Sequence, residues 1–209
     1  MKVKYIAWIS SLILIVGMSC TSGEQPRVGD ELPSDGASKK ILIVYLSRTN
    51  NTKAVAEMIQ AQMGGKLVAL ELANPYPADY RTTVDQVAQE NASGFLPPLA
   101  TKIDSIDQYD LIFLGFPTWG MQLPPPIKSF LAQYNLAGKT IAPFNTNAGY
   151  GIGSTFEQVK TLASRSVVLE GFSTRGGIER DGVLFVMEGG REVKVRGEVA
   201  AWLGKLRVK

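Results

Sequence analysis

The chain has 209 residues, a formal net charge of +3, one cysteine and no histidine. The missing imidazole excludes histidine-based triads, histidine metal sites and imidazole proton shuttles, and a single thiol excludes an internal disulfide. No basic stripe interleaved with aromatics occurs, so nucleic acid is not an expected partner, and any redox chemistry must come from a bound cofactor.

Residues 1–19 read as a signal peptide. Lys2 and Lys4 precede an apolar stretch from Ile6 to Met18, which is short for a membrane span and ends in Gly17-Met18-Ser19-Cys20. Cys20 stands where a bacterial lipoprotein signal places its acylated cysteine, with Met18 an imperfect match to that pattern. An ordinary cleaved signal and an uncleaved anchor are the alternatives. The lipoprotein reading implies export and a membrane anchor on the periplasmic or cell-surface side. Removing Lys2 and Lys4 takes the charge of +3 down by two, to near neutrality. Residues 20–38 are polar and rich in Gly, Pro and Ser. They read as a flexible tether spanning ~24 Å as a coil.

From Lys39 to Lys209 a single domain is expected, in which strands and helices alternate. Ile41–Leu46 is an apolar run rich in β-branched residues, as in a buried parallel strand. Ala54, Val55, Met58, Ile59 and Met63 follow at helical spacing. Leu67–Leu72 reads as the second strand, with a helix over 79–91 after it. Leu111–Phe116 is the strongest internal strand, and a helix entered through Pro124-Pro125-Pro126 carries Ile127, Phe130, Leu131 and Tyr134. Thr140–Asn145 is a fourth strand, followed by a helix marked by Phe156, Val159 and Leu162. Val167–Phe172 reads as a fifth strand and Val183–Met187 as a further short one. Val199, Trp202, Leu203 and Leu206 mark a closing amphipathic helix. Repeated βα units imply a doubly wound parallel sheet with helices on both faces.

In such sheets ligands sit beyond the carboxyl ends of the strands. Three loops fall there. The first, Ser47-Arg48-Thr49-Asn50-Asn51-Thr52, links a strand to a helix N-terminus, where unpaired amides and the helix dipole favour an anion. Its hydroxyls suit a phosphate monoester; the plainer reading is a capped turn, with Thr49 or Ser47 as N-cap. Arg48 is expected to face solvent. The second loop, Pro117-Thr118-Trp119-Gly120-Met121-Gln122, offers an indole platform, or else a core or interface aromatic. The third, Thr146-Asn147-Ala148-Gly149-Tyr150-Gly151-Ile152-Gly153, offers amides, with Tyr150 either covering a ligand or pointing to solvent. The sequon matches at Asn50 and Asn91 are accidental on the lipoprotein reading.

The first loop resembles the phosphate-binding loop of flavodoxins, roughly Ser/Thr-x-Thr-Gly-x-Thr, with Asn50 at the usual glycine. Asn74-Pro75-Tyr76-Pro77-Ala78-Asp79-Tyr80, Glu90, Tyr109–Pro117 and Gly149-x-Gly151 occur in this order in a bacterial group of flavodoxin-like proteins, so the resemblance covers about residues 40–207. That group commonly has histidine and glycine near positions 147–148 and a smaller residue at 150. The resemblance implies a five-stranded sheet of order 2-1-3-4-5 and an FMN cofactor. FMN contacts are implied at Ser47–Thr52, at Pro117–Gly120 and at Thr146–Gly151, with the Trp119-Gly120 loop near the flavin N5.

The leading expectation is a membrane-tethered FMN electron carrier without a catalytic side chain, monomeric or homodimeric. Its partner would be a redox protein or a small-molecule acceptor. The alternatives are an FMN-dependent reductase using a nicotinamide and a quinone-like acceptor, and a surface interaction module without flavin. Soluble flavodoxin carriers are usually acidic, so the charge-steered docking they use is not expected of this chain.

Overall fold

The computed structural model describes residues 39–206 and residue 208. The expected signal, tether and Cys20 therefore lie outside the described residues. Three strands, the apolar β1 (Ile41–Tyr45) and β3 (Leu111–Pro117) and the half-polar β4 (Thr140–Asn147), form the centre of the sheet and are buried on both faces. β2 (Lys66–Ala69) pairs with β1, giving the order β2-β1-β3-β4-β5, all parallel. The doubly wound expectation and its strand order are both observed. No helix among the described residues is long and apolar enough to cross a membrane.

Period-two alternation sends each strand's side chains to two cores. Ile43, Tyr45, Phe113 and Phe144 meet α1 (Asn51–Met63) and α5 (Gly189–Leu206) on one face. Leu42, Val44, Ile112, Leu114 and Phe116 meet α3 (Pro125–Gln133) and α4 (Thr155–Leu162) on the other. A Cβ on Gly115 would fall 2.1 Å from the far end of the Phe144 ring, so the glycine is what makes room for that ring against β3. α2 (Tyr80–Ser93) starts at Asp79, whose carboxylate accepts from the Thr82 amide at 2.8 Å, and ends at Gly94 with φ 70°. It buries only Thr83, Val87 and Glu90.

The fifth strand departs from the sequence reading. β5 (Val167–Val168) pairs with Thr140 and Ile141, while β6 (Phe172–Arg175) pairs with Phe144 to Asn147. Three residues, Leu169–Gly171, thus stand opposite two, Ala142 and Pro143, as in a β-bulge. The Ile141 carbonyl accepts from Leu169, so Pro143, two residues on, turns its donorless nitrogen toward the same edge. The extra residue reverses the alternation: Val168 packs on the α3/α4 side and Phe172 on the α1/α5 side. Trp202 closes the break by donating its indole N–H to the Glu170 carbonyl at 2.9 Å.

Two other expectations are corrected. The second strand stops at Ala69, because Glu71 and Leu72 pair instead with Leu99–Thr101. Val183–Met187 is not a strand. Val183 makes one bridge, to Ile178, and Leu184 and Val186 bond to the Asn51 side chain rather than to a sheet edge.

Candidate functional site

β1 delivers the chain into the first loop at the carboxyl edge of the sheet. Asn50 takes φ 62° as the residue before α1, a left-handed conformation that asparagine tolerates at low cost. Neither Thr49 nor Ser47 is the N-cap, although Ser47 Oγ does accept from the Lys53 amide at 3.3 Å. The amides of Asn51 and Thr52 have no partner among the described residues, as expected for the first turn of a helix.

The hydroxyls around this turn are set as donors. Asn51 Nδ2 donates to Thr49 Oγ1 at 2.9 Å, and Asn145 Nδ2 donates to Thr118 Oγ1 at 2.9 Å. Each hydroxyl oxygen already accepts a bond, so its proton is left for an acceptor in the cavity. Thr52 and Thr146 share a bond of 2.8 Å between their hydroxyls. Unpaired amides at the start of a thirteen-residue helix, together with these hydroxyls, suit a phosphate monoester.

Arg48, Thr49, Asn51, Thr52, Pro117, Thr118, Trp119, Thr146, Asn147 and Ala148 line one cavity of about 110 Å³. Ser47 and Asn50 shape the loop without lining it, and Gly120 lines a neighbouring, larger cavity. The third loop reaches the cavity only through its first residues. Gly149 and Gly151 turn their amides to Asn147 Oδ1, at 2.9 and 3.2 Å, and Tyr150 is exposed to solvent. The loop is fixed to its neighbour at Gly153, where a Cβ would fall 2.2 Å from the Met121 carbonyl oxygen.

Arg48 does not face solvent. Its guanidinium meets Glu179 Oε1 at 2.6 Å and donates to the carbonyls of Pro77 and Ala78 at 3.0 and 2.7 Å. Most of each charged side chain is covered. Asn51 also has a bracing role: it is buried, donates to the Leu184 carbonyl at 2.6 Å and accepts from the Val186 amide at 3.1 Å. The loop after β6 thus becomes part of the site, and it brings Gly176, Gly177 and Glu179 to the cavity, none of them anticipated. A Cβ on Gly177 would lie 2.2 Å from the Leu184 carbonyl oxygen, so the Gly-Gly pair was the available signal. Asn145, fully buried, gave none in a strand sequence, yet it orients Thr118 and holds Phe116.

Trp119 and Gln122 close a tight turn with bonds in both directions, and φ is positive at Gly120 and Met121. The Trp119 ring meets Tyr76 edge-on at 5.4 Å. Tyr76 in turn donates to Glu90 Oε2 at 2.5 Å, while Gln86 donates to Oε1 at 2.9 Å. Burial, and then the bond to Glu90, push the Tyr76 phenol well above the ordinary tyrosine value. Two hydrogen bonds thus stand in for a cation at the buried carboxylate and hold the platform that Trp119 presents.

A family model described as Flavodoxin matches residues 40–188. The chain belongs to this flavodoxin family. A flavodoxin of Synechocystis sp. is 26% identical over 141 residues, 66% of this chain and 69% of that one. Among solved structures, a flavoprotein of Bacteroides eggerthii is 28% identical with a TM-score of 0.65, covering 82% of this chain and 99% of the other. A flavoprotein of Lactobacillus acidophilus, solved in complex with FMN, is 26% identical with a TM-score of 0.57, covering 69% and 98%.

Proposed function

We propose that this flavodoxin-family chain binds FMN and transfers electrons while held at a membrane by lipid on Cys20. The observation that carries the cofactor is the donor set: unpaired amides of Asn51 and Thr52, with Thr49 and Thr118 hydroxyls freed as donors by their asparagine partners. A terminal phosphate fits it, and the FMN complex of the Lactobacillus relative agrees. The intact set speaks against the flavin-free reading. When bound, FMN supplies the redox chemistry. The chain's own residues hold the phosphate and offer Trp119 as one wall for the ring, with Thr146–Ala148 as the other. No general acid or base is required of them.

Titration of purified protein with FMN and with riboflavin tests this. Riboflavin lacks the phosphate, so the loss of two or more charge-assisted bonds should weaken it by about a hundredfold. Equal affinities would move the phosphate site elsewhere. For the tether, Cys20→Ser should abolish acyl labelling and release the protein from membranes. A serine variant that stays bound would favour an uncleaved helix over Ile6–Met18. The FMN-reductase reading is favoured by one observation, the larger cavity beside Trp119.

A further inference from the structure

We infer that the cavity between α2 and the Trp119 loop is a binding site for a flat, uncharged aromatic carbonyl compound of the quinone type. Its volume is about 370 Å³, in the range of small-molecule sites and more than three times that of the phosphate cavity. Along α2, Tyr80, Val84, Val87 and Ala88 recur at helical spacing and border this space together with Trp119 and Gly120. Such a stripe ordinarily buries itself against a core. Here Val84 stays 45% exposed and Tyr80 36%, because the cavity stands in front of them.

The polar groups narrow the ligand further. Lys128 Nζ donates to Asn91 Oδ1 at 2.8 Å. That bond fixes the carboxamide and leaves its N–H donors without a partner among the described residues, at the cavity border. A ligand here therefore meets an aromatic wall, an aliphatic wall and an amide donor, which suits a planar ring bearing a carbonyl oxygen. Arg48 and Glu179, at the end shared with the phosphate cavity, neutralise each other at 2.6 Å, so the cavity favours no formal charge. The inference rests on the FMN reading in one respect, that the flavin lies on the far side of Trp119 and leaves this space free.

The test titrates 2-methyl-1,4-naphthoquinone into flavin-free and FMN-loaded protein by ligand-observed NMR, beside FMN titrations of the same variants. Val84→Trp, at a half-exposed position that tolerates bulk, fills the cavity and should weaken the probe at least tenfold. Asn91→Asp keeps the shape and the contact to Lys128 but removes the donors, and should weaken it several-fold. FMN affinity should stay within twofold in both. Unchanged probe affinity in both variants overturns the site. Competition between probe and FMN, or an equal loss of FMN affinity in Val84→Trp, also overturns it by making the cavity the flavin's own seat. If FMN never binds while the probe binds and responds to both variants, the FMN reading fails and the site stands.

Discussion

The phosphate-loop wall of the site, Ser47–Thr52 with the first turn of α1, and the α2 wall, Tyr80–Asn91, both line cavities that end at Trp119, yet they are built differently. On the first, Asn51 and Thr52 are buried, and the helix behind them drives Val55, Ala56, Met58 and Ile59 into the sheet core. On the second, the helix buries three residues and leaves Val84 half in solvent. The densely bonded wall holds donors at fixed points, which recognition of a small anion requires. The sparsely packed wall leaves room, which a larger apolar ligand requires.

Breaking the bracing of the first wall should have the largest effect. Asn51→Leu removes bonds to Leu184, Val186 and Thr49 and leaves a part-buried carbonyl and amide without their side-chain partner. It should cost about 2–3 kcal/mol of stability by urea denaturation. Val84→Ala on the second wall should cost under about 1 kcal/mol, and similar losses at the two sites would erase the distinction between the walls.

Next in size, Thr49→Ala and Thr52→Ala should each weaken FMN binding by about 1–3 kcal/mol without unfolding the protein, as read by fluorescence titration. Thr83→Ala, on α2, should leave FMN affinity unchanged. An equal loss there would place the phosphate against the wrong wall.

A smaller effect links the platform to pH. The Tyr76 phenol is raised above its ordinary value of 10.0 by burial and by Glu90, and Tyr45 is raised by burial and by Glu57. The folded state therefore holds these protons more tightly than the unfolded chain. The stability they contribute is complete below pH 10 and is lost as pH rises beyond it. Tyr76→Phe should flatten that alkaline decline in denaturation curves taken between pH 9 and 11.5, and should shift the near-ultraviolet signal of Trp119. A decline unchanged in Tyr76→Phe would remove the phenol from the account.

Smallest is the effect at the seam between the walls. Glu179→Gln releases Arg48 from its ion pair beside the phosphate cavity and should tighten FMN a few-fold, more at low salt than at high salt. Weaker binding would show that Glu179 is needed to hold Arg48 in place.

Much of this was legible in the chain. β1 and β3 announce themselves as apolar runs because both their faces are buried, β4 by the shorter apolar stretch Ile141–Phe144, and the three loops follow from where those strands end. Asn50 in the position of a glycine pointed to the positive φ that it adopts. Less legible were the residues that act through distant partners. Arg48 looked solvent-facing because Glu179 lies 131 positions away, and Asn51 looked like a ligand contact because Leu184 and Val186 are as remote. The bulge after Val168 was hidden because Val167–Phe172 is apolar enough to read as one strand, whereas its break depends on Pro143 in the neighbouring strand.

The sequence by itself determined the order of elements, the parallel sheet and the place of the phosphate loop, since these rest on local periodicity and on the chemistry of a helix start. Only the tertiary structure decided which side chains line the cavity, which ones brace it, and that α2 stands off far enough to open a second cavity against Trp119. The reason is physical: hydrogen-bond partners and packing gaps are set by residues that meet across the fold, and periodicity along the chain carries no record of what lies opposite.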